Sequence, residues 1–250
     1  MTAAGAAIEI RDVYKRFGGN EVLKGVSLTV PRGSTTVILG ASGSGKSVLI
    51  KHVIGLLKPD AGEIWIEGDE ISHAGERALN EVRKKFGMVF QGAALFDSMT
   101  VGDNVAFPLR EHTRMPERDI RSTVTGKLEL FGLHGVEDVY PAELSGGMRK
   151  RVGLARAVVL NPGMILYDEP TTGLDPISTE NVNEMIVEAR EKLKVTSVVI
   201  SHDIGAAFAI ADAIAVLHEG RMVEFGTPAE VRASTHPHVR HFLSTWFSRT

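Results

Sequence analysis

The segment that most constrains the fold is 40-GASGSGKS-47, which matches the pattern G-x-x-x-x-G-K-[ST]. The apolar run 35-TTVIL-39 precedes it, and 46-KSVLIKHVIGLL-57 follows with leucine and valine at helical spacing. A strand, a glycine-rich turn and a helix in this order form the setting in which the pattern cradles nucleotide phosphates. The sequence therefore predicts an α/β unit with a phosphate site at the end of a strand.

We call residues 40–47 the lysine loop, and each residue type in it suits phosphate binding for a chemical reason. Gly43 and Gly45 let backbone N–H groups approach phosphate oxygens without an intervening Cβ. Lys46 can reach the β and γ phosphates, and Ser47 can offer its hydroxyl to Mg²⁺. The alternative is a glycine-rich turn without a ligand, which the strand–loop–helix setting disfavours. The residues expected to contact nucleotide are Gly40, Ala41, Ser42, Gly43, Ser44, Gly45, Lys46, Ser47 and Val48.

Strand and helix patterns alternate along most of the remaining chain. Residues 163–168 and 195–201 are continuous apolar runs, and a helical pattern over about 178–193 separates them. Such runs predict a parallel sheet that is covered by helices on both faces. An inserted helical lobe is predicted over about 92–160, with helices over 104–109, 118–131 and 147–160 and prolines at 108, 116, 141 and 162 as breaks.

One domain with an insertion and a tail is the expected organisation. No internal repeat, low-complexity tract or long linker divides the sequence. The expected boundaries are 1–234 for the domain, 1–91 and 161–234 for its core, about 92–160 for the helical subdomain and 235–250 for the tail.

Composition and charge exclude several classes of function. The chain has no cysteine, so disulfides and thiol chemistry are excluded. Its start does not have the pattern of a signal peptide, and its most apolar window, 204–217, is too short to span a bilayer. The net charge of −3 offers no overall attraction for nucleic acid, and we expect the basic cluster at 149–151 to be a solvated helix face. We expect a protein that is soluble by itself and does not bind nucleic acid.

Acidic and polar residues end the other predicted core strands. Asp168 and Glu169 end one strand, and Gln91 and His202 end two more. Ligands of open α/β sheets lie at the carboxyl ends of the strands, so we expect these side chains beside the phosphates. Asp168 would hold Mg²⁺ directly or through water, and Glu169 would polarise the attacking water. Gln91 would bridge Mg²⁺ and water, and His202 would contact the γ-phosphate. The predicted catalytic residues are Glu169, His202, Gln91 and Lys46, and the predicted metal ligands are Ser47, Gln91 and Asp168.

A second glycine-rich segment, 144-LSGGM-148, opens another helical pattern. Glycine costs about 1 kcal/mol inside a helix, so Gly146 and Gly147 are expected at the helix start. Bare N–H groups at such a start, with the Ser145 hydroxyl, form an anion site. The chain thus carries two candidate phosphate loops.

Six elements in a fixed order carry a resemblance to a known family. They are the lysine loop, Gln91, 144-LSGGM-148, 164-MILYDEP-170, 173-GLDP-176 and His202. Over nearly its whole length the chain resembles the nucleotide-binding subunit of ATP-binding cassette (ABC) transporters. The resemblance implies a P-loop NTPase (RecA-like) α/β core with an N-terminal antiparallel β subdomain and an inserted ABC α-helical subdomain. It also implies an enzyme that hydrolyses ATP with Mg²⁺.

The resemblance further implies that two copies pair head to tail. Ser145 and the amides of Gly146 and Gly147 would clamp the γ-phosphate held by the lysine loop of the second copy. Asp175 would meet the second copy near the other site, and Phe17 would stack on adenine. Tyrosine is more usual than Phe17 at that position, but stacking needs only a ring. Each loop is then half of a different site, and exclusion of water requires the pair to close.

Met148 departs from the family pattern, because glutamine is most common there. The clamp should survive, since Ser145 and the glycine amides supply its contacts. Together with 89-VFQGAALFDSMTVGDNVAFPLREHT-113 and 149-RKRVGLARA-157, the segment is similar to the ATPase of bacterial Mla-type phospholipid transporters, which maintain outer-membrane lipid asymmetry. The similarity implies a transmembrane permease, an MCE-type lipid-binding protein and a small STAS-domain subunit as partners. It also implies a peripheral location on the cytoplasmic face of the inner membrane.

Other functions stay open at this point. The ATPase of an amino-acid, metal or drug transporter would have a similar sequence. A soluble cassette ATPase acting on nucleic acid or ribosomes would normally show two cassettes or a basic insertion, and neither is present. A P-loop kinase would leave the LSGGM and GLDP elements unexplained.

The tail carries an apolar stripe at helical spacing. The stripe consists of Val239, Phe242, Leu243, Trp246 and Phe247. It suits packing on the protein's own core, docking on a partner subunit or contact with a membrane surface. Three nearby histidines, at 236, 238 and 241, have no acidic or cysteine companion, so no metal site is expected there.

Overall fold

The computed structural model describes residues 5–247, without the side chain of Phe247. Its strands are β1 Ala6–Phe17, β2 Asn20–Pro31, β3 Thr35–Leu39, β4 Ala61–Ile66, β5 Asp69–Glu70, β6 Phe86–Phe90, β7 Met164–Asp168, β8 Thr196–Ser201, β9 Ala213–His218 and β10 Arg221–Gly226. Its α-helices are α1 Lys46–Val53, α2 Glu76–Arg83, α3 Val101–His112, α4 Glu117–Leu130, α5 Gly146–Ala157, α6 Pro176–Leu193, α7 Ile204–Ile210, α8 Pro228–Arg232 and α9 Pro237–Phe247.

The strands form two sheets. The antiparallel sheet has the order β2-β1-β4-β5, and the larger sheet has the order β10-β9-β3-β8-β7-β6. In the larger sheet β10 pairs with β9 antiparallel, and the other neighbours pair in parallel. Every residue of β3 and β8 is buried, as expected for parallel strands that are covered on both faces. The predicted α/β class and the antiparallel β unit are therefore confirmed.

Two apolar clusters lie on opposite faces of the larger sheet. One cluster joins this sheet to the antiparallel sheet and α1, and it includes Ile38 and Leu49. The other joins the opposite face to helices α3 through α9, and it includes Val37 and Leu128. Val37 and Ile38 fall in different clusters because successive strand side chains point to opposite faces.

The carboxyl ends of the parallel strands meet at one edge of the sheet. Leu39 of β3 pairs with Ser201 of β8, and Phe90 of β6 pairs with Asp168 of β7. The segments that leave β3, β6, β7 and β8 therefore start side by side. This edge positions the lysine loop together with the residues that follow the other three strands.

The observed helix ends differ from the predicted ones for local reasons. Helix α3 spans Val101–His112 rather than 104–109, because Thr100 caps its start by accepting a hydrogen bond from the Asp103 N–H. Pro108, predicted as a break, lies inside α3. Burial of neighbouring α3 side chains in the core offsets the hydrogen bond that this proline removes. Helix α1 ends at Val53 rather than near 57, since the chain turns at Gly55, where φ is +65°.

Three short elements, β5, α2 and α8, were not predicted. A two-residue strand has no alternation to detect, and α2 buries only Leu79 and Val82.

Across residues 5–247, no helix combines the length and apolar character needed to cross a bilayer. The predicted division into core and helical subdomain stays a prediction.

Candidate nucleotide-binding site

The lysine loop connects β3 to α1, and its backbone requires glycine. Gly43 and Gly45 have φ values of +80° and +108°, in the region that other residues rarely adopt. A Cβ at Gly40 would collide with the carbonyl oxygen of Leu217. No side chain caps the start of α1. The first N–H groups of α1 and the loop thus form a helix N-terminus of the kind that binds anions.

Lys46 is 6% exposed, and its ammonium group lies against the loop. Its Nζ donates hydrogen bonds to the carbonyl oxygens of Gly40 and Ala41, at 2.7 and 3.1 Å. Glu169 Oε1 lies 3.5 Å from the same nitrogen. The positive charge is therefore fixed between the lysine loop and the acidic residues that follow β7.

Glu169 is the centre of a group of polar contacts. Its Oε2 lies 2.7 Å from His202 Nδ1 and accepts a 2.8 Å hydrogen bond from Thr172 Oγ1. Its backbone N–H donates to the Ile200 carbonyl at 3.0 Å. These contacts hold Glu169 at a φ of +51°, a conformation that residues with side chains rarely adopt. The turn directs the carboxylate toward Lys46.

Asp168 has a different environment at the end of β7. Burial raises the pKa of its carboxyl, the adjacent charge of Glu169 raises it further, and Lys46 opposes both effects. A bound cation would favour the ionised form of this carboxyl. With the Ser47 hydroxyl and the Gln91 amide, Asp168 offers the oxygen ligands that Mg²⁺ prefers. Within residues 5–247, no group of three His, Cys, Asp or Glu residues is placed to hold a metal ion.

Gln91 and His202 follow β6 and β8, on the two sides of β7. Gln91 Nε2 lies 3.4 Å from the carbonyl oxygen of Thr172, its hydrogen-bond acceptor. His202 contacts Glu169 and is otherwise exposed. The structure thus joins Lys46 and His202 through their contacts with Glu169, whereas Gln91 contacts the turn that follows Glu169 and does not line the cavity over the lysine loop.

A cavity of about 780 Å³ lies over the lysine loop. Its walls include Ser42, Lys46, Glu169 and His202, but not Phe17. The Phe17 ring is 46% exposed at the end of β1, and Lys15 Nζ lies 5.6 Å from its centre. The structure does not bring this ring into the cavity wall, so its stacking on adenine stays a prediction.

The signature segment, residues 144–148, lies at a separate cavity. Ser145 caps α5, since its Oγ accepts a 3.2 Å hydrogen bond from the Met148 N–H. Gly146 and Gly147 are exposed at the same helix start. The cavity beside this segment has a volume of about 330 Å³ and shares no lining residue with the cavity over the lysine loop. One chain therefore presents the two candidate phosphate loops at separate cavities.

Asp175 caps the start of α6. Its carboxylate accepts hydrogen bonds from the Ser178 hydroxyl, at 2.5 Å, and from the Ser178 N–H, at 2.9 Å. These hydrogen bonds lower the pKa of the Asp175 carboxyl. Its predicted contact with a second copy stays a prediction, and the local structure shows a helix cap.

The basic cluster at 149–151 is solvated in part, as expected, since Arg149 and Arg151 are exposed and Lys150 is half-buried. Its three side chains also donate hydrogen bonds to backbone carbonyls. The acceptors are the oxygens of Leu144 for Arg149, Pro170 for Lys150 and Phe131 for Arg151, at 2.6, 2.8 and 2.9 Å. Successive helix residues point in different directions, so each reaches a different segment. A sequence pattern cannot reveal these acceptors, because every residue has a carbonyl.

Two further residues at the site, and a third that holds the segment after Gln91, were not predicted. Thr172 contacts Glu169, and Phe242 of α9 lines the cavity over the lysine loop. Arg156 donates hydrogen bonds of 2.8 Å to the carbonyls of Ala93 and Ala94, just after Gln91. A hydroxyl three residues after Glu169 was a local signal for Thr172. The other two depend on tertiary packing alone.

Comparison with known proteins assigns the family. A family model described as ABC transporter matches residues 23–172. The chain belongs to this family, which confirms the resemblance, and it is an ATPase cassette of that class.

The curated relatives are more specific. The chain is 44% identical over 236 residues to the intermembrane phospholipid transport system ATP-binding protein MlaF of Escherichia coli K12, covering 94% of this chain and 88% of the relative. It is 45% identical over 240 residues to the probable ribonucleotide transport ATP-binding protein mkl of Mycobacterium tuberculosis H37Rv, covering 96% of this chain and 67% of the relative.

Solved cassettes have the same fold. CbiO1 from Clostridium perfringens, part of the ABC transporter complex cbiONQ, superposes with a TM-score of 0.85 at 31% identity, covering 98% of this chain and 97% of that one. The dimeric cassette MJ0796 in a post-hydrolysis state, bound to ADP and Pi, superposes with a TM-score of 0.77 at 31% identity. It covers 88% of this chain and 98% of the cassette.

Proposed function

We propose that this chain is the ATP-hydrolysing motor of a transporter that moves phospholipids between the inner and outer membranes of a Gram-negative envelope. The observation that carries the hydrolytic function is the position of Glu169, 3.5 Å from Lys46 Nζ and 2.7 Å from His202 Nδ1. The phospholipid cargo is supported by the 44% identity to MlaF, which extends over most of both chains.

The reaction is ATP + H₂O → ADP + Pi, with in-line attack on the γ-phosphorus. Glu169 orients the water or accepts its proton, and His202 and Thr172 hold the Glu169 carboxylate. Lys46 balances the charge that develops on the phosphate oxygens. Mg²⁺, when bound, neutralises further charge on those oxygens, and the residues that would hold it are Ser47, Gln91 and Asp168.

A head-to-tail pair of this chain completes each site. Ser145 and the amides of Gly146 and Gly147 from the second copy would close over the phosphate. This proposal is supported by the two separate cavities of a single chain and by the dimeric form of MJ0796. A group supplied in trans to a phosphoryl-transfer site is worth about 10³–10⁵ in rate.

The membrane partner is a transmembrane permease. A groove of about 780 Å³ between α2, β6 and α3 offers it a docking surface just after Gln91. The groove exposes Phe90 and Phe96 beside Arg83 and Arg156, an apolar floor with a charged rim. An MCE-type lipid-binding protein and a small STAS-domain subunit complete the proposed assembly. The chain would sit on the cytoplasmic face of the inner membrane as a peripheral subunit.

Ribonucleotides are a second candidate cargo, because the mycobacterial relatives are named for them at up to 45% identity. The test is to purify the chain with its permease and to identify the bound molecules by mass spectrometry. Phospholipid in stoichiometric amount supports the proposal. Ribonucleotide bound to the permease in place of lipid would favour the second candidate.

Substitution Glu169→Gln tests the hydrolytic function. Glutamine keeps the size of the side chain but cannot accept the proton, so we expect ATP binding to persist while turnover falls by about 10²–10⁴-fold. A closed dimer should then accumulate with ATP. Steady-state phosphate release and size-exclusion chromatography measure the two effects.

The matched control is Glu188→Gln on the exposed side of α6, where the carboxylate accepts a 3.1 Å hydrogen bond from Lys192 Nζ. This variant should turn over ATP at the wild-type rate. Unchanged turnover in Glu169→Gln would remove Glu169 from the catalytic function.

A further inference from the structure

Lys150 connects the signature segment to the turn that holds Glu169. It lies near the start of α5, five residues after Ser145, and its Nζ donates a 2.8 Å hydrogen bond to the carbonyl oxygen of Pro170. Pro170 is buried and directly follows Glu169. The contact therefore joins the element that would serve one composite site to the element that serves the other.

The surroundings of Lys150 make this hydrogen bond important. The cavity of about 330 Å³ beside it has Met148, Leu174, Val182 and Met185 in its walls and no carboxylate. Burial lowers the pKa of the Lys150 ammonium. A partly buried charge needs a hydrogen-bond partner, because desolvation without one is unfavourable. The Pro170 carbonyl supplies that partner.

Glu169 itself is held by its side-chain contacts and by its N–H, but the main chain just after it has fewer hydrogen bonds. Pro170 has no N–H to donate, and Glu169 occupies the left-handed region. The main-chain hydrogen bonds next along the turn are long, at 3.3 Å from Thr172 N to Glu169 O and 3.2 Å from Leu174 N to Thr171 O. A charged donor on the Pro170 carbonyl is therefore a main anchor for the residue after Glu169.

We propose that Lys150 is a positioning residue that transmits movement of the signature segment to Glu169 of the same chain. This inference rests on the proposed function, in which the signature segment closes over nucleotide bound to a second copy. When that closure moves the start of α5, Lys150 moves the Pro170 carbonyl and so adjusts the Glu169 carboxylate. Nucleotide at one site then controls hydrolysis at the other.

Substitution Lys150→Met in the full-length protein tests the proposal. Methionine keeps a long apolar side chain but removes the charge and the donor. We expect kcat to fall about 5–20-fold, KM for ATP to change less than twofold, and the Hill coefficient of ATP hydrolysis to approach 1. Lys150→Arg retains a charged donor and should recover at least half of the lost kcat.

The matched control is Lys127→Met on α4. Lys127 also has a pKa lowered by burial, and its Nζ donates a 2.7 Å hydrogen bond to Asn161 Oδ1, away from both half-sites. This variant should change neither kcat nor the Hill coefficient. The proposal is overturned if Lys150→Met has the same kcat and Hill coefficient as Lys127→Met. It is also overturned if Lys150→Met only loses thermal stability while its Hill coefficient stays unchanged.

A mixed dimer with one hydrolysing site separates the two directions of coupling. The first subunit keeps Glu169 and the second carries Glu169→Gln, so both sites can bind ATP but only the site with Glu169 of the first subunit hydrolyses it. Adding Lys150→Met to the first subunit should lower turnover about 5–20-fold, whereas adding it to the second should change turnover less than twofold. Equal effects in both positions would overturn the proposal. No turnover in a mixed dimer of Lys46→Ala and Ser145→Ala subunits would instead overturn the composite-site function, and this inference with it.

Discussion

Asp168 and Glu169 are adjacent in sequence but occupy different environments. Burial and the neighbouring charge raise the pKa of the Asp168 carboxyl, whereas Glu169 contacts Lys46, His202 and Thr172. Two carboxylates whose surroundings differ in this way can perform different tasks. This division supports metal binding by Asp168 and activation of water by Glu169.

Substitution Asp168→Asn should stabilise the nucleotide-free protein while it abolishes hydrolysis. Folding raises the pKa of Asp168, so the folded state holds this proton more tightly than the unfolded state. The corresponding stability is present at low pH and is lost as the pH rises from the ordinary pKa of Asp to the raised one. At pH 7, without nucleotide or Mg²⁺, the Tm of Asp168→Asn should exceed that of the wild type, and the difference should shrink on acidification.

Differential scanning calorimetry across this pH range measures the effect. Asp175→Asn serves as the control. Hydrogen bonds from Ser178 lower the pKa of Asp175, so neutralising this residue should not raise the Tm at pH 7. An Asp168→Asn variant with a Tm at or below that of the wild type at pH 7 would contradict the assignment.

The sequence alone was enough to locate the residues whose function follows from their type and their order along the chain. The lysine loop, the acidic pair, Gln91 and His202 all follow predicted strands, so the parallel sheet alone brings them together. It did not locate Lys150 or Arg156, because their acceptors are backbone carbonyls of segments distant in sequence. The hydrophobic patterns located the buried strands well and missed β5, α2 and α8, which bury few side chains.

Helix α9 is the element whose position the sequence left open. Val239 and Leu243 are buried in the large apolar cluster, and Phe242 is half-buried beside it. Trp246 packs on α7, with its indole where a Cβ of Gly205 would lie. This side of the stripe packs on the protein's own core, as one interpretation expected. The side chain of Phe247 lies outside the described residues.

Substitution Gly205→Ala should displace Trp246 and loosen α9. The added Cβ overlaps the indole, so we expect the free energy of unfolding to fall by about 1–3 kcal/mol. In a Trp246→Ala background the same change should be neutral or stabilising, because alanine favours a helix over glycine. Urea unfolding of the two single variants and the double variant measures this coupling.

Gly126→Ala in α4 provides the control for helix propensity. A Cβ at Gly126 would meet no atom within 4 Å, so this variant should be slightly stabilised. If the changes that Gly205→Ala and Trp246→Ala cause in the free energy of unfolding are strictly additive, the packing of α9 on α7 is contradicted.

The proposed pairing of two chains would explain why one chain carries two candidate phosphate loops. The lysine loop and the signature segment line separate cavities in a single copy. A head-to-tail arrangement would place each against the complementary loop of the other copy. Both copies would then contribute to both sites, and neither would have a complete site alone.

Mixing two inactive variants should restore activity. Lys46→Ala disables the lysine loop and Ser145→Ala disables the signature segment, so a mixed dimer keeps one intact site. With random exchange half of the dimers are mixed, and we expect turnover of up to about a quarter of the wild-type rate if the sites act independently. Phosphate release after mixing measures the recovery. Two differently tagged copies of Lys46→Ala are the control, and no recovery in the mixed sample would contradict the trans arrangement.

The left-handed backbone of Glu169 has a consequence for protein engineering. At a φ of +51°, glycine or asparagine would relieve strain of about 1–2 kcal/mol. A thermostabilisation scheme that ranks substitutions by folding free energy would therefore favour replacement of Glu169. The resulting protein would be more stable but unable to hydrolyse ATP. Any stability-guided redesign of this cassette has to hold residue 169 fixed.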